Sequence, residues 1–174
     1  VGLTFHLLPN LDLKTQLGID SHNYTNREYG PRDVHDFGKG DQGNAYQSNS
    51  STLYWQEETY LTYKNSFGNH RINAMAGLSW QERTYESFNA TAKTFADDYY
   101  GYHNMAAGTQ RPSVGSDHDR WAMNSYFLRI GYSYGDRYMA TVTGRYDGSS
   151  KFGKNNKYAF FPSAGLAWYI SNEE

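Results

Sequence analysis

Apolar and polar residues alternate with a period of two along most of this chain, and that pattern constrains it to β-strands whose two faces meet different surroundings. In the stretch from His70 to Tyr85, Ile72, Ala74, Ala76, Leu78 and Trp80 share one face. Arg71, Asn73, Ser79, Gln81 and Arg83 share the other, with Met75 and Gly77 among them. Tyr126, Leu128, Ile130, Tyr132 and Tyr134 alternate with Ser125, Phe127, Arg129, Gly131 and Ser133. Tyr138, Ala140, Val142, Gly144 and Tyr146 alternate in the same way with Arg137, Met139, Thr141, Thr143, Arg145 and Asp147.

Read along the whole chain, the pattern predicts about seven strands, over 1–8, 11–28, 51–66, 70–88, 119–135, 137–148 and 157–171. Several exceed the usual strand length of about five or six residues. Their connections alternate in length. Pro9-Asn10, the segment 65–69 and Gly135-Asp136 are tight, whereas 29–50 and about 89–118 are long and 147–156 is intermediate. An up-and-down sheet then carries its short turns at one end and its long loops at the other. Outer-membrane barrels have that asymmetry, with short periplasmic turns and long external loops.

Alternation alone does not say which face is inside. A soluble sandwich or barrel turns its apolar face to the core, and a transmembrane barrel turns it to lipid. Composition bears on the choice. Seventeen tyrosines, nine phenylalanines and four tryptophans accompany a mean hydropathy of −0.84, aromatic-rich yet hydrophilic. Arg71, Arg83, Arg129 and Arg145 are read as mid-strand residues, which suits a wet lumen. Tyr134 and Tyr138 flank a short turn, where an interfacial aromatic girdle would lie. These features favour the membrane version. An odd strand count, with strands reaching both ends of the chain, leads us to expect a segment of a larger barrel, because open sheet edges are not tolerated in hydrocarbon.

Other readings are narrower. A net charge of −2 provides no general attraction for nucleic acid, and the absence of cysteine rules out disulfides and thiolate metal sites. No run of about eighteen apolar residues would make a transmembrane helix. No secretory leader opens the chain at Val1, so an export signal would lie upstream or the protein would stay inside the cell. Gly148, Gly153 and Lys154 approach the phosphate-loop spacing, but Asn155 replaces the hydroxyl residue. The segment that follows alternates and contains Pro162 and Gly165, so it reads as a strand where that motif needs a helix. The histidines at 6, 22, 35, 70, 103 and 118 lack metal-ligand spacing. Asp36 and Asp41, Asp97 and Asp98, and Asp117 and Asp119 form no complete calcium loop. No metal, cofactor or catalytic constellation is expected, and none of the spacings supports an enzyme. Tyr99, Tyr100 and Tyr102 crowd one long loop, where clustered aromatics either stack on a sugar or anchor a partner, or pack on the loop itself.

From Ser125 to Glu174 the sequence resembles the SusC/RagA-type TonB-linked outer-membrane proteins of Bacteroidota. Members typically carry S-Y-K-D-R-Y, then R-x-D-G-S-S-[KR]-F-G, then F-P-S-x-S-x-G-W. Ser133-Tyr134, Asp136-Arg137-Tyr138 and Arg145 fall on that pattern here. So do Asp147, Gly148, Ser149, Ser150, Lys151, Phe152, Gly153, Phe161, Pro162, Ser163 and Trp168. Gly135 stands where Lys is frequent, and Ala167 where Gly usually precedes the Trp. Earlier hairpins match more loosely.

The resemblance implies a barrel of about 22 strands with an N-terminal plug. It also implies a lipoprotein lid of the SusD type, and import of glycans or peptides driven through TonB. We therefore expect residues 1–174 to be an all-β, antiparallel, up-and-down part of one such barrel domain, in contact with outer-membrane lipid and without the plug. Arg71, Arg83, Arg129 and Arg145 would face the lumen, as substrate contacts or as structural partners of neighbouring carboxylates. Tyr99, Tyr100 and Tyr102 would lie outside the cell. The alternatives are a soluble lectin-like β-protein and a small complete outer-membrane barrel with an adhesive role.

Overall fold

A computed structural model of the chain describes residues 1–33, 39–153 and 155–172. His35, Asp36 and Lys154, singled out above, lie outside them. Seven strands pair in sequence order: β1 (Gly2–Leu8), β2 (Leu11–Gly30), β3 (Asn44–Phe67), β4 (His70–Lys93), β5 (Ser113–Tyr134), β6 (Tyr138–Ser149) and β7 (Tyr158–Trp168). The up-and-down order and the alternation of short and long connections are those expected.

The central strands are longer than the sequence suggested. β3 begins at Asn44, β4 runs to Lys93 and β5 begins at Ser113, so 44–50, 89–93 and 113–118, expected in the two long loops, belong to strands. Composition misled here because the Ser/Asn/Gln-rich run 44–51 carries residues that favour turns in isolation. With a neighbouring strand available, its backbone groups find ladder partners instead.

By their internal contacts the residues form two compact units. The first comprises Val1–Ile19, Tyr54–Arg83 and Trp121–Glu174. Within it, register sets the two faces. Tyr126 pairs with Tyr146 and Tyr146 with Phe160; Ile130 pairs with Val142 and Val142 with Ala164; Tyr134 pairs with Tyr138 and Tyr138 with Trp168. Apolar residues thus form continuous rows across β5, β6 and β7, and most are exposed, up to 89% for Leu166. Aromatic rows bound this band at both ends. From Tyr126 to Tyr134 it has the length of about 9–11 residues that a tilted strand needs to cross hydrocarbon. Phe5 and Leu13 continue the same alternation on β1 and β2.

Two glycines leave room for aromatic side chains over the sheet. A Cβ at Gly77 would meet the Tyr60 Cβ at 2.4 Å, the Phe127 ring at 2.7 Å and the Thr59 carbonyl oxygen at 2.7 Å. Its absence allows the rings of Tyr60 and Phe127 to approach to 6.4 Å above it. At Gly148 the Tyr158 ring occupies the same kind of space, 2.3 Å from where a Cβ would be. Tyr158 also stacks on Tyr146 at 4.9 Å and accepts a hydrogen bond from Asn124 at 3.0 Å.

The second unit, Asp20–Leu53 and Thr84–Arg120, carries a small core of Ala45, Ala92 and Phe95, against which Tyr29, Tyr102 and Met105 pack. Thr94 turns the chain out of β4 with a φ of 64°, its N–H donating toward the carbonyls of Asp41 and Gly43. Lys93 pairs with Asp41 at 2.9 Å. The Tyr29 hydroxyl donates to the Asp98 carboxylate at 2.6 Å, and the same carboxylate oxygen accepts the Arg32 N–H at 3.2 Å. Burial, then the hydrogen bond to Asp98 and that carboxylate's charge, push the Tyr29 phenol up to about 12 from 10.0.

Two outcomes are expected. In the full-length protein, Gly77→Ala forces Tyr60 and Phe127 apart and lowers stability by about 1–3 kcal/mol, whereas at Gly131 a Cβ has only ordinary contacts and Ala is tolerated. Heat-modifiable gel migration with increasing urea measures the difference. Because the Tyr29 phenol is raised, its contribution is complete below pH 10 and is lost as pH rises through about 12. Tyr29→Phe should remove a phenol that ionises near pH 12 from an absorbance titration and expose the 94–112 loop to faster proteolysis at neutral pH.

Candidate functional site

On the polar face of the first unit, Glu58, Tyr60, Met75, Phe127, Arg129 and Arg145 line a concavity of about 400 Å³. The alternation of β3, β4, β5 and β6 brings these side chains together, and the bare backbone at Gly77 lets the two aromatic rings form its floor. Its two arginines differ in their surroundings. Arg145 is clamped: its Nε donates to both oxygens of Asp147, at 2.7 and 2.9 Å, and one terminal nitrogen donates to the Ser125 hydroxyl at 3.0 Å. Ser125 is only 1% exposed. Arg129 is exposed and forms no ion pair with any described residue.

The other two arginines lie elsewhere. Arg71 is not mid-strand as expected: it is the second residue of β4, at the short-turn end, and pairs with Asp136 of the β5–β6 turn at 2.9 Å. Arg83 lies on β4 at the edge of the first unit. The concavity therefore unites two of the four predicted arginines. Glu58, Tyr60 and Ser125 were not singled out from the sequence. A polar residue buried on a wetted face has no signature in one chain, because its burial comes from neighbours on other strands.

The motif from Asp147 to Gly153 builds wall and turn. Asp147 holds Arg145, and Gly148 lies under Tyr158. The Ser149 N–H donates to the Lys157 carbonyl and the Phe152 N–H to the Ser149 carbonyl. The Ser149 hydroxyl accepts the Lys151 N–H. Ser150 exchanges two bonds with the Ala122 backbone, N–H to carbonyl and N–H to hydroxyl, each at 2.9 Å. The amides of 149–152 are thus occupied, and they form no open nest for a phosphate. Phe161 pairs with Arg145, Pro162 with Gly144 and Ser163 with Thr143, so Pro162 lies within the ladder. Trp168 stacks on Tyr138 at 6.4 Å. Phe152 is exposed, and a Cβ at Gly153 would meet open space.

In the second unit, Tyr99 is 84% and Tyr100 54% exposed, and their rings meet edge to face at 4.8 Å. The Asp97 carboxylate accepts the Tyr99 N–H, while Asp98 is held by Tyr29 and Arg32. Tyr102 does not join the exposed pair; it packs on the core, and its carbonyl accepts from Gln47. The acidic pair of this loop thus positions its backbone. His6 and His22 bond Asp12 and Asp20, and His70 bonds the Tyr132 hydroxyl. Among the described residues no three His, Cys, Asp or Glu side chains group as metal ligands.

Comparison with known proteins agrees with this architecture. A family model described as TonB dependent receptor-like, beta-barrel, matches residues 1–173. TonB-dependent receptor P3 of Formosa agariphila is 36% identical across 97% of the chain, and TonB-dependent receptor SusC of Bacteroides thetaiotaomicron is 28% identical across 99%. The chain spans 17% of the length of each. Among solved structures, the RagAB peptide transporter superposes with a TM-score of 0.89 at 22% identity, over 99% of this chain and 19% of that one. This likeness shows a shared fold. The chain belongs to the TonB-dependent receptor β-barrel family, as part of an outer-membrane barrel wall.

Proposed function

We propose that this chain is part of the barrel of a SusC-like, TonB-dependent importer of glycans or peptides. In the full-length protein it acts with an external lipoprotein of the SusD type and with TonB. The observation that carries this reading is the polar-face concavity, in which a clamped Arg145 neighbours an Arg129 that has no ion pair among the described residues. With the apolar face toward lipid, that concavity faces the lumen, as do Arg71 and Arg83. Arg129 offers its guanidinium to passing carboxylates or hydroxyls, while Arg145 keeps the wall rigid beside it. Similarity to the TonB-dependent receptors P3 and SusC supports the importer reading. Tyr99 and Tyr100, on a loop pinned by Asp98 and a small core, present rigid aromatic surface to substrate outside the cell.

The test is complementation of a strain lacking the full-length gene, with growth on single glycan or peptide sources identifying the nutrient class. Arg129→Gln should fold normally and slow uptake of that nutrient. Arg145→Gln should instead reduce the folded barrel in the membrane, since Asp147 and the buried Ser125 lose their partner at a cost of about 1–3 kcal/mol. Equal uptake by wild type and Arg129→Gln would remove the arginine from the pathway. Replacing both Tyr99 and Tyr100 with Ala should leave folding intact and weaken substrate binding about tenfold, read by calorimetry on the purified full-length protein.

A further inference from the structure

A second concavity, of about 420 Å³, opens on the apolar face and is walled by Trp55, Trp80 and Tyr158, with Glu82, Asn124 and Lys157 at its polar margin. Its level in the membrane follows from register. Asn124 pairs with Gly148 and Gly148 with Tyr158, one outward-facing step beyond the Tyr126–Tyr146–Phe160 row that closes the apolar band. That step leads toward the β6–β7 loop and away from the short turns, so the groove lies at the external interface.

The groove is built in advance. Tyr158 is held over Gly148 by its stack on Tyr146 and by the Asn124 hydrogen bond. Trp80 is 43% exposed. Aromatic faces bordered by a carboxylate, an amide and an ammonium suit a sugar ring, whose C–H face stacks on indole while its hydroxyls reach the polar groups.

We propose that this groove holds the sugar headgroup of an outer-leaflet glycolipid, whose acyl chains run down the band over Leu128, Ile130 and Val142. The groove is continuous with the lipid-contacting face, so an occupant anchored in the same leaflet reaches it laterally. A soluble glycan would have to enter through the headgroup layer, and a simple phospholipid headgroup has no face to lay on the indoles. The inference rests on family membership and on the apolar face meeting lipid, and not on the imported nutrient.

The probe is rough lipopolysaccharide, titrated into delipidated full-length protein in detergent and followed by native mass spectrometry and tryptophan fluorescence. Wild-type protein should bind it in preference to phosphatidylethanolamine and to the deacylated oligosaccharide. Replacing Trp55 and Trp80 with Leu keeps apolar surface at the interface and should weaken binding about tenfold. Trp80→Phe, which preserves a ring, should retain most of it and serves if the double variant folds poorly by heat-modifiable migration. Unchanged binding in the folded double variant would overturn the proposal. So would equal competition by phosphatidylethanolamine, which marks ordinary annular lipid, or by the deacylated oligosaccharide, which marks a soluble-glycan site. Nutrient uptake in the complemented strain is a separate reading, and the Trp variants should leave it unchanged.

Discussion

Hydrocarbon offers no hydrogen bonds, so every backbone N–H and C=O that crosses it must find a partner on the next strand. The unbroken pairing of β5 with β6 and β6 with β7 meets that demand, and the side-chain arrangement follows from it. Period-two alternation assigns each residue to one face, and register aligns those faces into rows. Tyr126–Tyr146–Phe160 and Tyr134–Tyr138–Trp168 become aromatic margins because three strands place them at matching heights. A register slip of one residue would turn Arg129 and Arg145 into lipid, a change large enough to pin the pairing.

Within that ladder, conspicuous residues serve the wall. The Asp147–Gly153 run looks like a ligand loop, yet its carboxylate holds Arg145, its glycine accepts a tyrosine ring and its serines satisfy backbone groups of Ala122 and Lys151. Asp98 likewise anchors a loop through Tyr29 and Arg32. A charged or glycine-rich motif in a β-barrel therefore has a structural explanation to be tested before a chemical one. The exposed Tyr99–Tyr100 pair and Arg129 have no such employment among the described residues, and for that reason the functional proposal rests on them.

Much of the fold was legible in the chain. Alternation around Ile130 and Val142 marked strands and faces, and glycine, proline and asparagine clusters marked the connections. The strand extensions at Asn44–Ser50 and Ser113–His118 were not legible, because Ser, Asn and Gln choose strand or loop according to the partner beside them. The site was legible in its charges and illegible in its pairing. Four arginines with similar local sequence diverge into a turn-end ion pair at Arg71, a clamp at Arg145, an exposed group at Arg129 and a unit-edge position at Arg83.

By itself the sequence determined the period, hence which residues share a face, and the residues able to end strands. Both are local properties of the backbone and its next few neighbours. Only the tertiary structure decided that Gly77 lies between Tyr60 and Phe127, that Ser125 is buried against Arg145, and that Trp55, Trp80 and Tyr158 wall one groove. Those juxtapositions join residues tens of positions apart, and the energy that selects them exists only once neighbouring strands are in register.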